Sequence, residues 1–238
     1  PLLAASVLLE GWDAIRNGLL RADLTTWAAV VWQSVGNTMF GYAIWGWLLA
    51  RHPAAQITPM ALLVPPPLGD RSLGKDDAPV TIVEYASMTC PHCAKFHETT
   101  YPELKKRYID TGKVRFIFRE FPLDPLAAGA SMLARCADKD KFFPLIETLF
   151  QMQRTWAVEK PIPPLMAIAK QAGFSEQSFN ACLSDQKMLD AMQEEQKRAT
   201  DKFKVNSTPT IFVNGKMQKG EVSIEELAKV IDPLLKAS

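Results

Sequence analysis

The stretch MTCPHCAKF, residues 88–96, sets Cys90 and Cys93 two residues apart. Thiols at that spacing can close a redox-active disulfide, supply two ligands of a metal site, or sit buried and inert. Pro91 narrows the geometry. Proline suits the first position of a helix, where its missing N–H breaks no hydrogen bond. Cys90 then becomes the N-cap, whose side chain faces the free amides of the next residues, here His92 and Cys93. The positive end of the helix dipole adds to that field, so a thiolate at Cys90 is stabilised and its pKa falls. Cys93 lies further in, beside Ala94 and Phe96. It is expected to be buried and to keep its proton longer. One poised thiol and one resolving thiol is the asymmetry disulfide exchange requires. His92, between them, is expected to stabilise the Cys90 anion further. Stabilising the thiolate stabilises the reduced form, which makes the disulfide an oxidant of other thiols. Cys90, Cys93 and His97 also have metal-ligand spacing. Zinc takes four ligands, however, and Pro91 puts the pair at a helix start instead of a knuckle. No metal is expected, and His97 is expected at the surface or half-buried.

The thiols need elements to hold them. PVTIVEYAS, residues 79–87, is rich in β-branched and aromatic residues and reads as a buried strand. A helix follows the cysteines to about Tyr108, with a bend expected at Pro102. KVRFIFREF, residues 113–121, reads as the next strand, which completes a βαβ unit. Residues 125–204 are helical in pattern, interrupted at Pro161, Pro163 and Pro164. TPTIFVNGKMQKG then reads as strand, turn, strand, because Asn214-Gly215 suits a type I′ hairpin. Ser223 and Glu226 form a capping box for a closing helix. The order βαβ, helical block, ββα predicts an α/β thioredoxin fold with an inserted helical domain. The expected organisation is a lead-in over 65–78, a thioredoxin domain from 79–124 and 205–238, and the insertion over 125–204.

EYASMTCPHCAKF and STPTIFVNG together resemble the DsbA family of thiol:disulfide oxidoreductases over about residues 70–238. The resemblance implies that Cys90 is the nucleophile, Cys93 the resolving thiol and His92 the tuning residue, with Pro91 between. It implies that Thr208-Pro209 is a cis pair lying against the cysteines, where the Thr208 backbone can pair with an extended substrate. Glu84, six residues before Cys90, takes the place of a buried acid that ferries protons in the family. Four cysteines allow three pairings. The spacing of Cys136 and Cys182 is similar to that of an extra disulfide in some α-proteobacterial members. The resemblance implies a periplasmic disulfide oxidase that acts on reduced substrate proteins and needs no cofactor beyond the Cys90–Cys93 disulfide. A DsbB-like, quinone-linked membrane partner would reoxidise it. Two alternatives stay open: a reductase or isomerase on the same fold, and a metal-handling thiol protein using Cys90, Cys93 and His97.

The remaining sequence bounds the setting. The 238 residues carry a net charge of +1 with both signs interspersed, so nucleic acid is not an expected partner. The chain begins at Pro1, not Met, and an upstream part is expected. Residues 24–50 contain no charged residue and are long enough to cross a bilayer. Trp27 near one end and Trp45 and Trp47 near the other suit its interfaces. TWAAVVWQSVGNTMFGYAIWGWLLARHPAAQITPMALLVP resembles the late transmembrane region of EamA-type transporters, over about residues 1–64. The last span is cut short at Pro65, so an anchor is expected, not transport. That family's orientation puts Arg51 on the non-cytoplasmic side and turns the following domain towards the periplasm. Either a gene fusion or an artificial junction accounts for the joined halves.

Overall fold

The structure is a computed structural model that describes residues 66–220 and 222–236. The transmembrane-like segment 1–64, its span at 24–50 and Arg51 lie outside the described residues. Among those described, no helix is long and apolar enough to cross a membrane.

Strand β2 (Val80–Ala86) occupies the middle of a five-stranded sheet ordered β1-β3-β2-β4-β5. It runs parallel to β3 (Val114–Glu120) and antiparallel to β4 (Thr210–Val213). Strand β5 (Lys216–Lys219) closes one edge through a turn in which Asn214 and Gly215 both have positive φ, 42° and 81°. That is the backbone the Asn-Gly pair predicts. The other edge, β1 (Arg71–Leu73), falls inside the stretch expected as a lead-in. Three residues carry no readable period, and β1 exists because the free edge of β3 offers it partners.

Both faces of the sheet are covered, so β2 and β3 read as nearly continuous apolar runs. Side chains still alternate. Ile82 and Ala86 enter the larger core, while Val83 and Tyr85 enter a smaller one with Ala199 and Phe203. Glu84 has the parity of Ile82 and Ala86, which aims an acid at the larger core.

Helix α1 (Pro91–Thr99) breaks at Thr100 before the short α2 (Tyr101–Leu104), with Pro102 in its first turn. A π-helical turn, Lys105–Ile109, leads into β3. The insertion holds α3 (Pro125–Cys136), α4 (Phe142–Gln151), α5 (Gln153–Trp156), α6 (Ile162–Gln171), α7 (Glu176–Leu183) and α8 (Gln186–Phe203). A disulfide joins Cys136 to Cys182, with Cα atoms 6.1 Å apart, and ties α3 to α7. Helix α9 (Ile224–Lys236) closes the fold. At its start the Ser223 N–H donates to Glu226 at 2.9 Å, and the Glu226 N–H donates to the Ser223 hydroxyl at 3.2 Å.

Two buried ion pairs fasten the sheet to its surroundings. Arg135 on α3 meets Glu120 through two bonds of 2.6 and 2.7 Å, and also donates to the Leu68 and Gly69 carbonyls. Arg119 grips Asp70 at 2.8 and 3.0 Å and donates to the Tyr85 hydroxyl, which in turn donates to Glu195 on α8.

Candidate active site

Cys90 is the N-cap of α1, with extended φ and ψ of −77° and 120°, and Pro91 opens the helix. Both cysteines are free thiols; Cys90 is 7% exposed and Cys93 fully buried. The Thr208-Pro209 bond is cis and brings the Thr208 carbonyl within 3.3 Å of the Cys90 sulfur, whose S–H donates to it. Residues 118 positions apart in sequence thus meet at one sulfur.

The two thiols are driven in opposite directions. Cys90 is lowered to about 5. The largest cause is the Cys93 thiol, which donates to the anion; the Thr208 hydroxyl and the backbone amides of Cys93 and His92 add to it, against burial. The neutral thiol makes no capping bond and donates to Thr208 instead. The amides act once the proton has gone, because only the anion is a strong acceptor. Cys93 is pushed well up, first by burial, then by Cys90 and the charge of Glu84. The ring of His92 is exposed, whereas its amide faces the sulfur.

Gln153, at the start of α5, holds the site from the inserted domain. Its Nε2 donates to the Met88 carbonyl at 2.8 Å and the Cys90 carbonyl at 3.0 Å. Two grooves start from residues next to the site, one at Pro91 and the other at Asp124. One of about 430 Å³ runs from Pro91 past Lys95 to Arg154. The other, about 450 Å³, runs from Leu123 and Asp124 between α3 and α8. Asp124 accepts a bond from Thr89, the residue before Cys90.

The model of a thioredoxin family matches residues 68–233. A putative protein-disulfide oxidoreductase of Rickettsia bellii is 36% identical over 171 residues, covering 71% of this chain and 66% of the relative. The disulfide bond formation protein D of Bacillus subtilis is 32% identical over 173 residues, covering 71% of this chain and 78% of that protein. The crystal structure of Wolbachia pipientis alpha-DsbA1 superposes with a TM-score of 0.68 at 31% identity, covering 74% of this chain and 95% of that one. This chain belongs to the DsbA-like thiol:disulfide oxidoreductases of the thioredoxin superfamily. It spans 60–66% of the length of the rickettsial relatives it matches.

In this DsbA-like site Glu84 is fully buried beneath α1. His97 corrects an expectation: it is neither at the surface nor half-buried but 5% exposed, with Nε2 2.9 Å from the Glu84 carboxylate. Helical spacing explains the placement. Cys93 and His97 are four residues apart and share the inward face of α1. Among the described residues, no three His, Cys, Asp or Glu side chains are grouped as metal ligands. Sequence reasoning missed Gln153 as well as His97. A glutamine opening a helical turn 63 residues from Cys90 carries no signal of where its amide will reach.

Proposed function

We propose that the chain is a disulfide oxidase facing the periplasm, acting on exported proteins that arrive with reduced cysteines. The observation that carries it is the split between the two thiols, one held near 5 at a helix start and the other driven up in the core. A substrate thiolate attacks Cys90, and Cys93 leaves and takes up a proton. A second substrate thiolate then releases Cys90 as an anion, and release is easy because that anion is stable. The dithiol carries the two electrons itself, with no bound cofactor. Thr208 and Pro209 would receive the substrate backbone beside Cys90. Glu84 would serve the proton needs of Cys93, and His92 would tune Cys90. A DsbB-like membrane partner that passes electrons to a quinone would restore the disulfide. Residues 24–50 would anchor the chain in the inner membrane.

Cys90→Ser should abolish oxidation of a reduced, unfolded model protein; retained oxidation refutes the assignment. A glutathione titration of the Cys90–Cys93 pair decides direction. A pair more oxidising than glutathione supports an oxidase, and a strongly reducing pair supports a reductase. Deleting residues 24–50 should free the protein from membranes with catalysis intact, and a deleted protein that still pelleted with membranes would remove the anchor.

A further inference from the structure

We propose that His97 is the outer member of a buried proton path, passing protons between Glu84 and solvent as Cys93 gains and loses its own. The inference rests on the disulfide-exchange reading above and adds to it a positioning residue that acts through Glu84. Glu84 and His97 meet at 2.9 Å with side chains 0% and 2% exposed. Each keeps one buried polar atom, Glu84 Oε1 and His97 Nδ1, with no hydrogen-bond partner among the described residues. Unpaired buried polar atoms are costly, so packing alone favours an apolar residue at position 97. The Glu84 charge acts on Cys93. His97 also lines an open pocket of about 180 Å³ with Tyr101, Lys105, Lys106, Asp110, Glu147 and Gln151. The ring stacks on Phe150 at 4.4 Å and lies 4.7 Å from Tyr101, which fixes its plane. An imidazole so held can take a proton at one nitrogen and give one at the other.

The titratable groups around the pair are Cys93 from α1, Tyr101 from α2, Lys105, Lys106 and Asp110 after it, and Glu147 from α4. Tyr101 is pushed well up by burial, then by Glu147, Glu84 and Asp110. It therefore keeps its proton and leaves the imidazole as the ring that exchanges.

The path balances the chemistry. A substrate thiolate attacks the Cys90 sulfur; the Cys90–Cys93 bond breaks and a Cys90–substrate disulfide forms. Cys93 leaves with the electron pair and takes a proton from Glu84. His97 returns one to Glu84 from Nε2 and takes another from solvent at Nδ1. Reoxidation by the quinone-linked partner runs the protons outward along the same route.

The test measures the rate at which dithiothreitol reduces the Cys90–Cys93 disulfide of the full chain, against pH. In His97→Gln the amide can still bond Glu84 but cannot relay a proton. Its rate should fall about tenfold, less than the ~10²–10⁴ of a general acid in direct contact. The pH profile should flatten while the thiolate titration of Cys90 stays in place. His97→Ala should be restored by imidazole in the buffer, which the vacated pocket admits. A wild-type rate and profile in His97→Gln, or slowing that imidazole does not relieve, overturns the path. Glu84→Gln separates the two readings. If it is slow while His97→Gln is normal, Glu84 keeps its role and the His97 path falls. Should His97→Ala fail to fold, the His97→Gln profile decides alone.

Discussion

Replacing Cys93 with alanine should raise the Cys90 pKa by one to two units. The Cys93 S–H is the largest of the influences that bring Cys90 from 9.0 to about 5. A hydrogen bond to a charged group contributes ~1.5–3 kcal/mol, and one pKa unit is ~1.4 kcal/mol, which gives ~1–2 units. Alanine removes the donor but leaves the Thr208 hydroxyl and the helix amides, so the shift is partial. Cys93→Ser keeps an O–H donor and should titrate close to wild type. The assay is the ultraviolet absorbance of the thiolate followed against pH. A linked effect has a definite sign. Because the folded pKa of Cys90 is depressed, the reduced protein gains stability in full above the pKa of a free thiol. That gain is lost as pH falls towards about 5. Cys93, pushed the other way, adds no stability in this window. The stability advantage of the reduced wild-type protein over its oxidised form should therefore shrink from neutral pH towards 5. In Cys93→Ala the same titration should be complete one to two units higher. A Cys93→Ala midpoint that stays near 5 would refute the reasoning and assign the anion to the amides alone.

Three further outcomes are expected. Gln153→Leu strips the amide from the Met88 and Cys90 carbonyls and should cost about 2 kcal/mol in urea unfolding, since Met88 loses a buried partner. Glu120→Leu leaves the Arg135 guanidinium buried without its carboxylate, held by the Leu68 and Gly69 carbonyls and the Phe142 ring. It should cost about 3 kcal/mol or more by the same measurement, and a loss below 1 kcal/mol would mean the pair is not buried in solution. Removing both Cys136 and Cys182 opens a 46-residue separation, for which loop entropy gives about 4 kcal/mol. Oxidase activity at low temperature should survive, because the bridge ties α3 to α7 and does not touch Cys90.

How much was legible in the sequence followed from the distance over which each feature is encoded. The N-cap at Cys90, the helix start at Pro91, the Asn214-Gly215 turn and the Ser223–Glu226 box were each readable within about one turn of chain. The strands 80–86 and 114–120 were readable from their composition, to within one residue at each end. These are local preferences of backbone and side chain, which the residues carry with them into any context. Strand β1 was not readable, because three residues become a strand only where a free edge receives them.

The sequence by itself determined that one cysteine would sit at a helix start and the other behind it, and therefore which of the two would hold the charge. Thr208 against the sulfur, 118 residues away, was implied by the family resemblance and not by local chain preference. Only the tertiary structure decided what else surrounds the cysteines: Gln153 on the carbonyls from the insertion, and Glu84 joined to His97 in the core. The physical reason is that period and capping act over a few residues, whereas a buried polar contact depends on which faces pack together. Packing is satisfied by volume and apolar character, and neither announces which polar atoms will be enclosed.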